Sequence, residues 1–474
     1  MKNATIAIRN VSRNKRRSAM TILAITISTA AIIIFGGFIQ AIVYGMQTEM
    51  AQGSGHLQVY KRGFFDYGSG NPSLYSIDRY EEVMKLIGED PSIKDKITVI
   101  APMVKMYGIA GNYAKDASKT FFGIGVVPSL TRKMAKWNDY GMKLYDTDHP
   151  SPMKDDNPGG AVIGEGLARM LFLCDELKIK GCPKGLPNGP STGKPAEKPN
   201  RDFSFLPELS ETDKSLKGHD GAATGETGPK LDLLAATASG APNVVSIGVL
   251  KAINQGFKEL DDNYVEMHLS TAQRLVYGRG SGRATGIIIQ LAHTGDLPGV
   301  KSRLYELFSD HKLDLEVKDC YQLNPFNVQA ISMFDSIFTF ISVIMGVIVL
   351  FTIVNTMTMS VMERVNEIGT IRALGLRRAG VLRLFLMEGM ALGVIGATFG
   401  TLLACLVGYA VNSFGLTWVP PGNSEPVYLI VLPFVNPLLI PVTLAAMVAV
   451  SALSALVPAR RASRMAVVDA LRHV

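Results

Sequence analysis

The chain has 474 residues, a formal net charge of +7, 47% hydrophobic residues and only 19% charged residues. Soluble proteins of this size carry about 25% charge. The deficit is concentrated in a few stretches, which excludes an ordinary soluble enzyme and a disordered chain, and the basic residues cluster beside those stretches, so the positive balance reads as membrane topology and not as nucleic-acid affinity.

Residues 2–18 predict a short amphipathic helix, with Ile6, Ile8 and Val11 apolar and Arg9, Arg13 and Arg16 basic. Such a helix lies among lipid headgroups with its arginines toward anionic lipid. Four nearly charge-free segments occupy residues 20–46, 337–354, 389–411 and 427–457. Each reaches the roughly 18 to 20 apolar residues that cross the hydrocarbon core as a helix. The first is too long for the apolar region of a signal peptide, about 7 to 15 residues, so it reads as an uncleaved anchor. Its helix is expected to continue as a stalk through residues 44–58, until Gly53 and Gly55 stop it.

The long region between the first two apolar segments has soluble composition. Strand-like runs occur at residues 56–60, 97–104, 119–127, 161–163, 243–251, 263–268, 285–292 and 314–318. Helices are predicted at residues 77–88, with Asp78 as the cap, and at 297–309. Strands mixed with helices indicate an α+β domain. Residues 181–241 are rich in Pro, Gly and Lys and poor in bulky side chains, so they read as a loosely ordered surface insertion, with a partner-docking loop as the alternative. Cys174 and Cys182 are close enough in sequence to close a small loop, and an oxidising compartment would permit a disulfide between them; free thiols are the alternative. Residues 327–336 run into the second apolar segment as a second stalk helix, with Asp335 at or above the outer headgroups.

Lys and Arg set the orientation. They cluster before the first segment (Lys2, Arg9, Arg13, Lys15, Arg16, Arg17), between the second and third (Arg364, Arg372, Arg377, Arg378, Arg383) and after the fourth (Arg460, Arg461, Arg464, Arg472). Residues 412–436 carry none. Four crossings place every cluster on one side, with both termini cytoplasmic and the large domain outside.

The expected layout follows. A cytoplasmic N-terminal helix (1–18) leads to a first span and stalk (19–48) and an α+β domain (49–326). The second stalk and span come next (327–357), then a cytoplasmic connecting region (358–384), a third span (385–411), an outer loop (412–436), a fourth span (437–457) and a cytoplasmic tail (458–474). In the connecting region Val361, Val365, Ile368, Ile371 and Leu374 recur at spacings of three and four, one face of a helix. Glu363 and Glu367 stand near its start and Arg372, Arg377 and Arg378 near its end, an order that suits the helix dipole. Gly375 sits where a left-handed stop is expected. Periodicity alone allows either a coupling element that would move both flanking spans or a passive interfacial loop.

Three segments carry a family resemblance: ERVNEIGTIRALG, followed by a hydrophobic run bearing FLMEG; the C-terminal PARRASRMAVVDALR; and the N-terminal AIRNVSRNKRRSAMTILAI. Together they resemble the permease signature of the FtsX/MacB/LolE-type ABC transporter superfamily, the type VII group. The order of parts is also similar, with one span, a large periplasmic domain and then three spans. The resemblance implies a non-catalytic permease of the bacterial inner membrane, working as a homodimer or with a sister permease. Two copies of a separate ATPase, holding ATP and magnesium, would drive it. On this resemblance Glu363, Arg364, Glu367, Ile368, Gly369, Arg372, Ala373 and Gly375 occupy the positions of the helix that couples to the ATPase. ATP-driven motion would pass to the periplasmic domain by mechanotransmission, without substrate crossing the bilayer through this subunit. MacB proteins carry a fused N-terminal ATPase, which is not seen here, and FtsX proteins are shorter, so the layout is nearest the lipoprotein-releasing LolC/LolE type. Lipoprotein or another amphiphile is then the expected cargo, with a periplasmic chaperone or adaptor as a further partner. A MacB-like efflux permease and an FtsX-like regulator of a cell-wall hydrolase are the alternatives.

No assembled catalytic set is legible. GPSTGKP at residues 189–195 lacks the phosphate-loop spacing, and GRGSG at 278–282 lacks a strand-turn-helix context. His56, His149, His219, His268, His293 and His311 are scattered and read as structural or exposed; Glu388 opens the third span at the interface, with a proton-relay role as the alternative.

Overall fold

A computed structural model describes residues 15–68, 70–142, 151–179, 228–256, 258–419, 426–434 and 436–465. Most of the predicted N-terminal helix, most of the insertion, Cys182, His149, His219, residues 189–195 and the end of the basic tail lie outside the described residues.

Among the described residues four helices are long and apolar enough to cross a membrane: Lys15–Ser54, Pro325–Glu363, Arg378–Phe414 and Leu439–Arg464. The first has 40 residues, about 60 Å at 1.5 Å per residue. That is about twice the hydrocarbon thickness, so the first two helices extend well past it toward the globular domain. The fourth begins later than its apolar run. Val427–Tyr428 pairs with Thr417–Trp418 as a short hairpin, and helix starts at Leu439. Beyond the hairpin, the Asn412 side-chain amide donates to the Val431 carbonyl and accepts the Val431 N–H, at 2.9 Å each. The Leu432 N–H then donates to the carbonyl of Gly37 in the first helix at 3.1 Å. The connection between the third and fourth helices is thus wedged against the first.

Small residues set the packing. In the third helix Gly389 and Gly393 lie against Ala455 and Ser451 of the fourth, and Gly396 and Gly400 lie against Ile25 and Thr29 of the first. A Cβ at these glycines would come within 2.5–2.7 Å of those side chains. The two G-x-x-x-G steps let backbones approach where lipid gives no hydrophobic drive. The second helix is peripheral. It meets the bundle along one stripe of Val349, Ile353, Met357 and Val361, while Phe340, Val343, Val347 and Phe351 stay exposed.

Between the first and second long helices lies a mixed sheet. Its strands are β1 (Leu57–Lys61), β3 (Ile97–Asn112), β4 (Ala117–Val126), β5 (Gly160–Gly164), β6 (Lys230–Ala236), β7 (Pro242–Ile253), β8 (Tyr264–His268), β10 (Gly286–Leu291) and β11 (Leu315–Asp319). A two-residue pair, β2 (Ile77–Asp78) with β9 (Arg283–Ala284), stands apart. The order is β11-β1-β10-β3-β4-β8-β5-β7-β6, and an extra β3–β6 pairing closes the last six strands into a barrel. Alternation explains the closure. Met106 and Ala110 of β3, Phe121 of β4, Val265 and Met267 of β8, and Leu231 and Leu233 of β6 all point inward and are buried. β3 is shared: its first half pairs with β10 and its second half with β4 and β6.

Three expectations need correction here. The helix after β2 spans Tyr80–Glu89 and Asp78 does not cap it; Asp78 pairs instead with Arg283 at 2.9 Å. The insertion ends sooner than residue 241, because Lys230–Ala236 is a barrel strand whose inward Leu231 and Leu233 supply the missed signal. Strand β3 extends eight residues beyond the predicted end at 104, its glycines having hidden the alternation.

The first helix joins the domain through a polar lock. It stops at Ser54, and Gly55 takes φ +68° where a Cβ would collide with Ile288. The His56 Nδ1 accepts the Leu291 N–H at 3.1 Å, which leaves the ring proton on Nε2, facing Thr294 Oγ1 at 3.3 Å. The Trp137 indole N–H donates to the Leu291 carbonyl at 2.8 Å, and Gln52 of the helix donates to the Trp137 carbonyl at 2.8 Å. Gln290 donates to the carbonyls of Ala51 and Met134. Tyr44 stacks on Tyr140 with ring centroids 4.3 Å apart.

Burial pushes the His56 imidazole down to about 4. The folded protein therefore binds fewer protons than the unfolded chain between about pH 4 and 6.5. The neutral lock is fully present above pH 6.5 and weakens by up to about 3 kcal/mol as pH falls through that window. Thermal melting of the detergent-solubilised chain is expected to fall across it, and His56→Gln is expected to flatten part of that slope. In the bundle, Gly393→Leu is expected to lower the melting midpoint by overpacking against Ser451, a cost of about 1–3 kcal/mol. Gly346→Leu, where an added Cβ meets nothing within 4 Å, is expected to leave it unchanged.

Candidate functional site

The candidate site is the connection between the second and third long helices, at the basic end of the bundle. The second helix runs to Glu363, and Arg364 leaves the helical ladder at φ −109°, ψ 17°. A short helix, Val365–Ala373, follows. Gly375 ends it at φ +98°, its N–H bonding to the Arg372 carbonyl and the Leu376 N–H to the Ile371 carbonyl. This paired closure needs the left-handed conformation that glycine adopts without strain. The third helix then starts at Arg378.

Three charged side chains at this connection reach the first helix, the third helix and the residue that follows the fourth. Glu363 accepts a two-pronged pair from Arg17 of the first helix, at 2.6 and 2.8 Å. Arg364 turns inward to Glu388 of the third helix at 3.5 Å, and both side chains are buried, at 10% and 7% exposure. Arg372 donates to the carbonyl of Met465, one residue past the fourth helix. With its covalent links to the second and third helices, the connection is tied to all four.

The two faces of the short helix differ. Val365, Ile368 and Gly369 are buried against the bundle. Glu367, Thr370, Ile371, Ala373, Leu374, Gly375, Leu376 and Arg377 are exposed, Leu374 by 83% and Ile371 by 42%. Of the residues spaced as one helix face, Val361 lies on the second helix, before the break at Arg364, and Leu374 lies just past the end of the short one; Val365 and Ile368 are buried, whereas Ile371 and Leu374 are exposed. The break at Arg364 resets the helix, and apart from Arg372 its last turn stands clear of the bundle.

The eight residues of the family resemblance thus separate. Arg364, Ile368, Gly369 and Arg372 face inward; Glu367, Ala373 and Gly375 face outward; Glu363 bridges to the first helix. Sequence reading missed Arg17, Glu388 and Met465 as their partners. In the sequence Arg17 is one member of a basic cluster, and no spacing rule joins it to a carboxylate 346 positions away. Glu388, directly before the first G-x-x-x-G step, was the legible signal.

The remaining candidates are structural. His268 caps the helix Leu269–Tyr277 by accepting the Ser270 N–H, His293 pairs with Asp139 at 2.8 Å, and His311 contacts the Leu307 carbonyl. Residues 278–282 form a loop with Gly278 and Gly280 at positive φ. Among the described residues no group of three or more His, Cys, Asp or Glu is placed to hold a metal. Cys174 is disulfide-bonded, and Cys320 and Cys405 are free thiols.

Comparisons with known proteins match both parts. Residues 339–467 match the FtsX-like permease C-terminal family, and residues 18–187 match the MacB-like periplasmic core domain. The lipoprotein-releasing system transmembrane protein LolC of Neisseria meningitidis is 24% identical over 49% of this chain and 56% of its own length. The macrolide export ATP-binding/permease protein MacB of Bdellovibrio bacteriovorus is 29% identical over 35% of this chain and 26% of its own length. An ABC transporter permease of Methanocaldococcus jannaschii is 25% identical over 86% of this chain and 84% of its own length. The chain spans about half the length of the LolC relatives it matches, 56% and 53%.

The sorting of the short helix gives a direct expectation. A cysteine placed at Leu374 should react rapidly with a maleimide added to the detergent-solubilised chain. One placed at Ile368 should react many-fold more slowly. Equal rates would mean that the helix is turned differently from the arrangement described.

Proposed function

We propose that this chain, an ABC transporter permease of the FtsX, MacB and LolC/LolE family, transmits motion from a separate ATPase to its globular domain. The carrying observation is the two-sided connection between the second and third helices. Its inner side grips all four helices, and its outer side offers exposed Ile371, Leu374 and Leu376 beside Glu367. An exposed apolar tip with a carboxylate at its edge suits a shallow groove on a soluble partner. ATP and magnesium belong to that partner in this reading.

The basic residues at this end support a cytoplasmic orientation, with the globular domain periplasmic and both termini inside. Two further features support transmission over conduction. The glycine contacts of the third helix leave its interfaces with the first and fourth tightly closed, and the Val431 wedge closes their far end. The cargo we infer is a lipoprotein or similar amphiphile lifted from the outer face of the inner membrane, a reading supported by the LolC match. The working unit is a pair of permeases with two ATPases.

Leu374→Asp should leave the chain folded and sharply reduce the ATPase recovered with it in mild detergent. Glu367→Lys should reduce substrate-stimulated ATP turnover in the complex. A wild-type chain that brings down no ATPase, or full coupling in Leu374→Asp, would sink the proposal.

A further inference from the structure

We propose that Arg364 is a positioning residue that acts through Glu388 inside the bundle, not by touching the ATPase. The proposal rests on the transmission role given above and assigns the pair as the link that passes movement of the short helix to the third span.

Placement is the first argument. Arg364 is the single residue between two helices, so its side chain fixes how the short helix is set against the second. Glu388 immediately precedes Gly389, where the third helix presses on Ala455 of the fourth. A pull on Glu388 therefore acts where the third and fourth helices are locked together. With 10% of its side chain exposed, Arg364 offers little surface to a soluble partner, whereas Glu367 and Leu374 on the same segment offer much more.

Range is the second argument. The 3.5 Å separation is longer than a charge-assisted hydrogen bond of about 2.8 Å. Among the described residues Glu388 Oε2 accordingly has no hydrogen-bond partner. The pair is an ionic contact with slack. Attraction between charges falls slowly with distance in a low-dielectric interior, whereas an apolar contact loses much of its energy within about 1 Å. A charged tether can thus hold while the short helix shifts and tighten as it swings inward. An apolar pair of the same size would hold the resting fold and let go on movement.

The test uses the full chain assembled with its ATPase. Arg364→Met combined with Glu388→Leu removes both charges, a change that buried ion pairs often tolerate. This double variant should keep its melting midpoint and bind ATPase normally, while ATP turnover in the complex falls at least about tenfold. Arg364→Glu should also lose turnover, and adding Glu388→Arg should restore a large part of it. Wild-type turnover in the apolar double variant would reduce the pair to a structural contact and overturn the proposal. Loss of ATPase binding in Arg364→Glu, unrepaired by Glu388→Arg, would place Arg364 at the ATPase and overturn it too. A wild-type chain that recruits no ATPase would overturn the transmission reading as well, whereas the first two results leave that reading standing.

Discussion

The close approach of the third helix to its neighbours constrains everything else in this molecule. Glycines at 389 and 393 meet the fourth helix and those at 396 and 400 meet the first, so three helices form one unit with no room for a methyl group between them. Hydrocarbon solvates leucine as well as a protein interior does, and cohesion in a bilayer depends on such fit. The second helix lacks it and lies along the unit by a single apolar stripe. The bundle is therefore a rigid trio with one looser companion. The charged contacts of Glu363, Arg364 and Arg372 tie the companion's end to the trio, where packing alone would not.

The same economy appears at the other end. The globular domain is an open sheet and a closed six-stranded barrel that share β3. A displacement of β1, which follows the first helix directly, passes through β10 into β3 and so into the barrel. The neutral His56, the Trp137 indole and two glutamines join helix to sheet with hydrogen bonds made largely to backbone groups. Backbone partners keep this joint in register whatever surface residues surround it.

How much of this was legible depended on the range of each interaction. The four apolar helices, the stop at Gly55 and the turn at Gly375 follow from local chemistry and could be read directly. So could most strands, whose alternation is local too. Lys230–Ala236 was obscured by polar neighbours, although Leu231 and Leu233 carried the period of an inward face. That Ile371 and Leu374 stand exposed while Val365 and Ile368 are buried was not legible, because helical spacing identifies a face but not what lies opposite it. The pairs Arg17–Glu363 and Arg364–Glu388 were out of reach, since a single chain gives no distance between residues far apart in order. The G-x-x-x-G steps beside Glu388 were visible in the letters and marked the helix contacts, though not which neighbours they served.

The wedge at Val431 adds a third grip on the first helix, after those at Ile25 and Thr29. From Ile25 to Gly37 is twelve residues, about 18 Å, held as part of the trio. Beyond Gly37 the seventeen residues to Ser54, about 26 Å, project as a stiff arm. A small tilt of the trio is therefore enlarged at the domain end in proportion to that length, and in the same sense.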